Sequence, residues 1–321
     1  MNISLAKSEE AMLGRMLPRR NILVLHAGAL GDFVLCWPLV MALGRIYAQS
    51  RIIVVTHASK GALAEAVLRV ESSDIEQGWH AMFADGAAPP EAVGRMLAGA
   101  QAVYSFVSSE DDATTANLKR VAGEGAVVTA VAPWPPDGYS KHASEFLLEQ
   151  LSKAPAVRSG MEQMLRSIAA RGIGSARSDT GEILVHPGSG GEHKRWPVAR
   201  FVKLIEKLKR KKLMVRVVMG EVETERLSAD EVKSLEASAE VIRPQTYVQL
   251  FNELRIASML VANDSGPGHL AGIMGLKTVS IFGATDAKVW RPLGPRVKVV
   301  SGDTLEQVNV DDVYDAVMGQ N

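Results

Sequence analysis

Three passages in this chain set small residues beside groups that could hold an anion or move a proton. Asn263-Asp264-Ser265-Gly266-Pro267-Gly268-His269-Leu270-Ala271 follows an apolar run and opens a helical pattern. A strand that turns through small residues into a helix leaves backbone N–H groups pointing outward, and with the helix dipole these favour a phosphate. The same residues also suit an ordinary turn or helix cap, in which Asp and Ser bond their own backbone. His186-Pro187-Gly188-Ser189, followed by Lys194-Arg195-Trp196-Pro197, sets N–H and hydroxyl donors beside two cations. That makes a second phosphate cradle, although the Gly-Lys-Ser/Thr of a P-loop is absent. His26-Ala27-Gly28-Ala29-Leu30-Gly31-Asp32 follows another apolar run. Gly28 and Gly31 would let the backbone approach a ligand, and Asp32 either projects a carboxylate into the same crevice or complements the dipole of the helix it opens. The Gly-x-Gly-x-x-Gly spacing is missing, so a nicotinamide cofactor is not supported.

Other chemistry-bearing residues weigh less. Glu221, Glu223 and Glu225 follow a further apolar run and could hold ribose hydroxyls or form a charged first helical turn. His186 and His193 have no carboxylate or cysteine at ligand spacing, so no metal site is expected. Cys36 lies one turn beyond Asp32 on an apolar face with no basic partner to activate a thiol, which reads as core. Lys60, Arg120, Lys141 and His142 read as ordinary surface residues and receive no role.

The elements that must position these residues follow from periodicity and composition. The 321 residues are 47% hydrophobic, enough for a large core and for two domains. Net charge is zero, with the basic residues concentrated between Lys194 and Arg216, as suits an anionic ligand or a solvated helix face. Aromatic residues are only 5% of the chain, which argues against a nucleic-acid partner. A single cysteine excludes an internal disulfide and fits a reducing, cytoplasmic home. The apolar stretch from Ile22 to Leu43 is interrupted by His26, Asp32 and glycines, so strand, turn and helix are expected there, not a membrane span or signal peptide.

Strands are expected at Ile22–Leu25, Arg51–Thr56, Ala102–Val107 and Ala126–Val131, with helical patterns between them, which implies a parallel sheet under helices. After Leu151 the chain loosens into Ser-Lys-Ala-Pro-Ala-Val-Arg-Ser-Gly, and a helix is expected only from Met161 to Arg171. A second series follows at Ile183–His186, Leu213–Met219, Val241–Ile242, Met259–Ala262 and Thr278–Phe282. The expected fold is therefore α/β, two Rossmann-like halves divided as 1–155 and 156–321. In open parallel sheets ligands bind beyond the carboxyl ends of the strands, where all three passages fall.

In their order the passages resemble glycosyltransferase family nine, the ADP-heptose:lipopolysaccharide heptosyltransferases. The resemblance rests on Ile22-Leu-Val-Leu with Gly28-Ala-Leu-Gly-Asp32, on His186-Pro-Gly-Ser with Lys194-Arg-Trp-Pro197, and on Asn263 to Ala271. Gly220-x-x-Glu223 and Phe282-Gly-Ala-Thr-Asp286 with Trp290-Arg-Pro292 add weaker echoes. It implies a glycosyltransferase B-type architecture with acceptor on the N-terminal and donor on the C-terminal side, and admits a last helix packing back on the N-terminal domain. It further implies an inverting, metal-independent transfer of heptose from ADP-heptose, with no cofactor, to a lipid-linked saccharide. By matching position, Asp32 is the expected base and Lys194 the group that stabilises the leaving diphosphate. Gly188, Ser189 and the stretch Ser265, Gly266, Gly268 and His269 would share that charge. Asp264 falls near the donor sugar and diphosphate, and Glu223 or Glu221 falls at the ribose. Gly28 and Gly31 belong to the acceptor-side loop. Peripheral contact with the inner membrane, through basic residues such as Arg15, Arg19 and Arg20, is the matching expectation. A sugar-nucleotide epimerase of the same architecture, or a non-catalytic member that binds a nucleotide sugar or glycan, are the alternatives.

Overall fold

Parallel β-structure forms where Val, Ile and Leu crowd into short runs, and the covering helices bury those runs on both faces. The computed structural model describes residues 20–84, 86, 88–174, 181–220, 226–283 and 285–319. In the first half the strands are β1 (Asn21–Leu25), β2 (Arg51–Thr56), β3 (Glu71–Asp74), β4 (Ala100–Ser105) and β5 (Val127–Ala130). The helices between and after them are α1 (Leu30–Leu35), α2 (Trp37–Ile46), α3 (Ala58–Leu68), α4 (Glu91–Ala98), α5 (Ala113–Val121), α6 (Ala143–Gln150) and α7 (Pro155–Arg171). The second half carries β6 (Glu182–His186), β7 (Met214–Val218), β8 (Glu240–Ile242), β9 (Met259–Asn263), β10 (Lys277–Phe282) and β11 (Val297–Ser301). With them are α8 (Val198–Arg210), α9 (Ala229–Ser238), α10 (Tyr247–Ile256), α11 (Gly266–Met274), α12 (Ala287–Trp290) and α13 (Val310–Met318).

The strand orders are β3-β2-β1-β4-β5 and β11-β10-β9-β6-β7-β8, and the pairings are parallel. The order reverses between β1 and β4 in one sheet and between β6 and β9 in the other. At such a point the connections leave on opposite faces, opening a crevice at the carboxyl ends of the strands. Each of the three sequence passages begins at one of these central strands: β1, β6 and β9. The expected two-sheet α/β architecture is what the chain adopts.

Differences from the sequence reading have physical causes. The stretch after Leu151 is not a loose linker, because Pro155 occupies the first turn of α7, where its missing N–H costs nothing. Helix α7 packs on α2, closely enough that a Cβ built on Gly160 would lie 2.9 Å from the end of Ile46. Strand β3 is Glu-Ser-Ser-Asp at the edge of its sheet, exposed at Glu71 and only half-buried after it, so no apolar run marks it. Helix α13 packs on α8, β10 and β11 and so stays on the second sheet.

The halves share one apolar core. A single buried cluster runs from Ile22, Leu30 and Phe33 through Met161 to Leu250, Leu254 and Leu270. Helix α1 packs on α11 and α3 on α10, so both contacts cross from one sheet's layer to the other's. Two buried histidines lie along this seam. His26, at the end of β1, is wedged against the rings of Phe33 and Phe106 at 5.5 and 5.4 Å. His142 caps α6: its Nδ1 accepts from the Ser144 N–H at 3.2 Å, which assigns the proton to Nε2 for donation to the Arg291 carbonyl at 2.9 Å.

Burial, with Lys60 adding, pushes the His26 imidazole down to about 3; burial likewise brings His142 down to about 4. An unfolded histidine would gain a proton near pH 6.5, whereas these two cannot while folded. Stability is therefore whole above pH 6.5 and declines below it, by about 1 kcal/mol per pH unit for each residue. Urea unfolding at pH 7, 6 and 5 should show this decline, and His26→Gln should remove about half of the slope between pH 6 and 5.

Candidate functional site

The loops that leave β6 and β9 are tied together by one side chain. Asn263, fully buried, accepts at Oδ1 from the Trp196 N–H (3.0 Å) and donates from Nδ2 to the Pro187 carbonyl (2.7 Å). Ser189 Oγ donates to the Asp264 carbonyl at 2.9 Å, adding a second tie. Trp196 is itself fixed, with Nε1 donating to the Val308 carbonyl at 2.9 Å and its ring standing edge-on to Phe201. The result is a rigid floor carrying Gly188, Ser189 and Lys194 beside the start of α11.

Lys194 Nζ lies 3.0 Å from Asp264 Oδ2, and His269 Nε2 lies 3.8 Å from Asp264 Oδ1. The first is a charge-assisted hydrogen bond and the second an electrostatic contact. Burial acts to raise the Asp264 carboxyl, but His269 and Lys194 outweigh it and hold the group below the ordinary carboxylate range. The pair leaves further N–H donors of Lys194 for an anion.

Ser265 stands at the N-cap position of α11 without a side-chain cap, and its buried Oγ has no hydrogen-bond partner. The turn reading of this passage is thus not what the fold uses. The first-turn N–H groups of Gly266 and Gly268 lack intrahelical acceptors by helix geometry, and the dipole is positive there. Ser265, Gly266 and Pro267 line a crevice of about 480 Å³, shared with Ala29, Leu30 and Gly31 of the opposite half.

Asp32 lies in the first turn of α1, where Ala29 is the N-cap, so the strand-turn-helix expected there is what forms. Gly28 is required by close approach: a Cβ on it would stand 2.9 Å from His26 Cε1 and 3.3 Å from Asp32 Oδ2. Gly31 meets the other half directly, since a Cβ there would stand 3.0 Å from His269 Cδ2. Asp32, Gly31, His269, Asp264 and Lys194 thereby form a continuous line across the seam. Gly266 is likewise pressed against Leu30.

Several candidates fall elsewhere. Arg195 does not face the cradle, because its guanidinium donates to the Arg226 carbonyl at 2.8 Å and pairs with Glu192, whose side chain is 91% exposed. Cys36 is buried, donates to the Phe33 carbonyl, and has its thiol pushed far up by burial. No group of three metal-ligating side chains occurs among the described residues. Asp286 caps α12, accepting from the Lys288 N–H at 2.8 Å. Glu221 and Glu223, with Arg15 and Arg19, lie outside the described residues. Among the described residues no helix is long and apolar enough to cross a membrane.

Sequence reasoning missed part of the wall. Pro244, Gln245, Thr246, Tyr247 and Leu250 close the crevice on the β8 side, with Val218 and Gly220. Thr246, whose side chain caps α10, and the Gln249 that bonds back to Gln245 were the available signals. Lys60 is 6% exposed and belongs to the same wall, and His142 is also buried, so neither is a surface residue. Lys141 is exposed and paired with Glu149.

With this geometry in place, comparison with known proteins gives concordant results. The profile of glycosyltransferase family 9 (heptosyltransferase) matches residues 140–315. Lipopolysaccharide heptosyltransferase 3 of Escherichia coli K12 is 26% identical over 119 residues, which are 34% of this chain and 33% of that protein. The chain thus matches about a third of that relative's length. A family 9 glycosyl transferase from Veillonella parvula superposes with a TM-score of 0.68 at 17% identity, covering 95% of this chain and 98% of that one. Escherichia coli heptosyltransferase WaaC with ADP gives 0.67 at 16% identity, covering 94% and 100%. At such identities these two likenesses are of fold.

Two outcomes follow from the site's construction. Asn263→Ala should leave several buried backbone groups unpaired and cost about 3 kcal/mol in urea unfolding. Because Asp264 is depressed, its contribution to stability is present above the ordinary aspartate range and is lost as pH falls through the depressed value. Asp264→Asn should abolish that acid-dependent part, read as a flatter unfolding curve between pH 4 and 2 by circular dichroism.

Proposed function

The chain belongs to glycosyltransferase family 9, and from that premise we propose that it transfers heptose from ADP-heptose to a saccharide of the lipopolysaccharide inner core or a related glycan. The observation that carries this reading is the line from Asp32 across Gly31 and His269 to Asp264 and Lys194. It sets a carboxylate from one half across the seam from an anion cradle of the other. A relative whose fold this chain shares was solved with ADP, which supports the choice of nucleotide.

In the proposed reaction the diphosphate rests on the first turn of α11, against Ser265 and Ser189, with Lys194 beside it. Asp264 keeps Lys194 oriented there. Pro244 to Leu250 and Gly220 receive the nucleoside. The acceptor hydroxyl attacks the anomeric carbon from the Asp32 side as the bond to the diphosphate oxygen breaks on the other, so the configuration inverts. Asp32 takes the hydroxyl proton, and the charge released onto ADP is met by donors already in place. An ordinary carboxylate is a weak base, so proton transfer accompanies attack rather than preceding it. No step calls for a metal ion. The proposed setting is the cytoplasmic face of the inner membrane, where a lipid-linked acceptor is presented.

Thermal stabilisation by ADP, UDP, GDP and CDP, followed by transfer assays with ADP-heptose in EDTA, tests the reading. ADP should stabilise most and transfer should survive EDTA. A preference for UDP, with epimer formation in place of transfer, would move the assignment to an epimerase. Asp32→Ala should keep ADP binding while losing about 10²–10⁴-fold in kcat. Lys194→Ala should weaken ADP binding as well as turnover.

A further inference from the structure

Lys60 lies in the first turn of α3, buried in the wall of the crevice. A lysine so placed is unfavourable unless its charge is met by carbonyls or a carboxylate. Its ammonium donates to the carbonyl of Gly28 and stands 3.5 Å from that of Ala27, the turn that launches α1. The Asp32 carboxylate lies near the same glycine, with Oδ2 only 3.3 Å from where a Cβ of Gly28 would be. Gly28 therefore neighbours both a cation and the proposed base.

The other groups around Asp32 carry less fixed charge. His26, from β1, is kept neutral by burial, and Cys36, at the end of α1, is kept a thiol. From α11, the His269 ring lies against Gly31, with its Nε2 turned to Asp264. Lys60 answers Asp32 from α3, and α3 is itself braced on α10 of the second half. Burial lowers the Lys60 ammonium while Asp32 works to raise it, so the carboxylate favours the charged form of the lysine.

We propose that Lys60 is a positioning residue for Asp32: it pins the Ala27–Gly28 turn that aims the carboxylate. Its catalytic meaning rests on the transfer reaction proposed above, but the Lys60–Asp32 pairing does not. A methionine in its place would fill the space, leave the two carbonyls without their donor and leave Asp32 without its cation. An arginine would restore the charge at a different reach.

Two readouts on the full chain test this. With ADP-heptose and an acceptor glycan, Lys60→Met should lose about tenfold in kcat with the donor KM little changed. Lys60→Arg should return most of that kcat, and ADP should still stabilise both variants against heat. Independently of turnover, the 13Cε resonance of Lys60 should titrate at lower pH in Asp32→Asn than in the parent chain. A loss confined to acceptor KM with kcat unchanged would make Lys60 an acceptor contact and overturn the proposal. So would a Lys60 titration indifferent to Asp32→Asn. If the parent chain transfers no heptose but Lys60 still responds to Asp32→Asn, the pairing is upheld and the transfer reaction is what fails.

Discussion

The amide of Asn263 is the constraint on which the crevice depends. It sits fully buried where β9 ends and bonds backbone groups of the loop that leaves β6. These strands are neighbours only because the sheet order reverses between them. A buried amide with its hydrogen bonds met is stabilising, and the same amide misplaced would leave several polar groups dry. That asymmetry allows one arrangement of the two loops. Ser189 and Lys194 therefore come to the first turn of α11 as fixed donors, and preorganised donors are the ones that stabilise developing charge without reorganising.

The opposite wall depends on closeness as well as on hydrogen bonds. Gly31 against His269 and Gly266 against Leu30 let α1 and α11 approach where larger residues would clash. The apolar cluster behind them is continuous from one sheet to the other. Asp32 is thus set relative to the donor cradle by packing within the shared core, while His142 adds a polar stitch to Arg291. Sequence dictates glycine and apolar residues at these contacts, and packing sets the separation.

Much of this was legible in the chain. The central strands announce themselves as Val, Ile and Leu runs, and the residues that end them are the ones that meet at the crevice. What was hidden obeys a different rule in each case. Edge strand β3 carries no apolar run because none of its residues is fully buried. Pro155 looks like a breaker but starts a helix. Arg195 and Lys194 are adjacent with the same charge, yet one serves the Arg226 carbonyl and the other Asp264, a choice set by the backbone turn between them. Lys60 reads as a surface cation because nothing local reveals that Gly28, far away in sequence, will fold its carbonyl over it. Long-range partners of this kind are written in tertiary geometry, and one sequence alone does not display them.

The most direct test of the central claim is a crystal structure of the chain with ADP bound. The account places the diphosphate at the N-terminus of α11, within hydrogen-bond reach of Ser265, Ser189 and Lys194, and the adenosine between Gly220 and Leu250, with Asp32 facing the open end of the phosphates. A nucleotide bound on the other side of the seam, or one whose phosphates turn away from α11 and leave Lys194 paired only with Asp264, would contradict it.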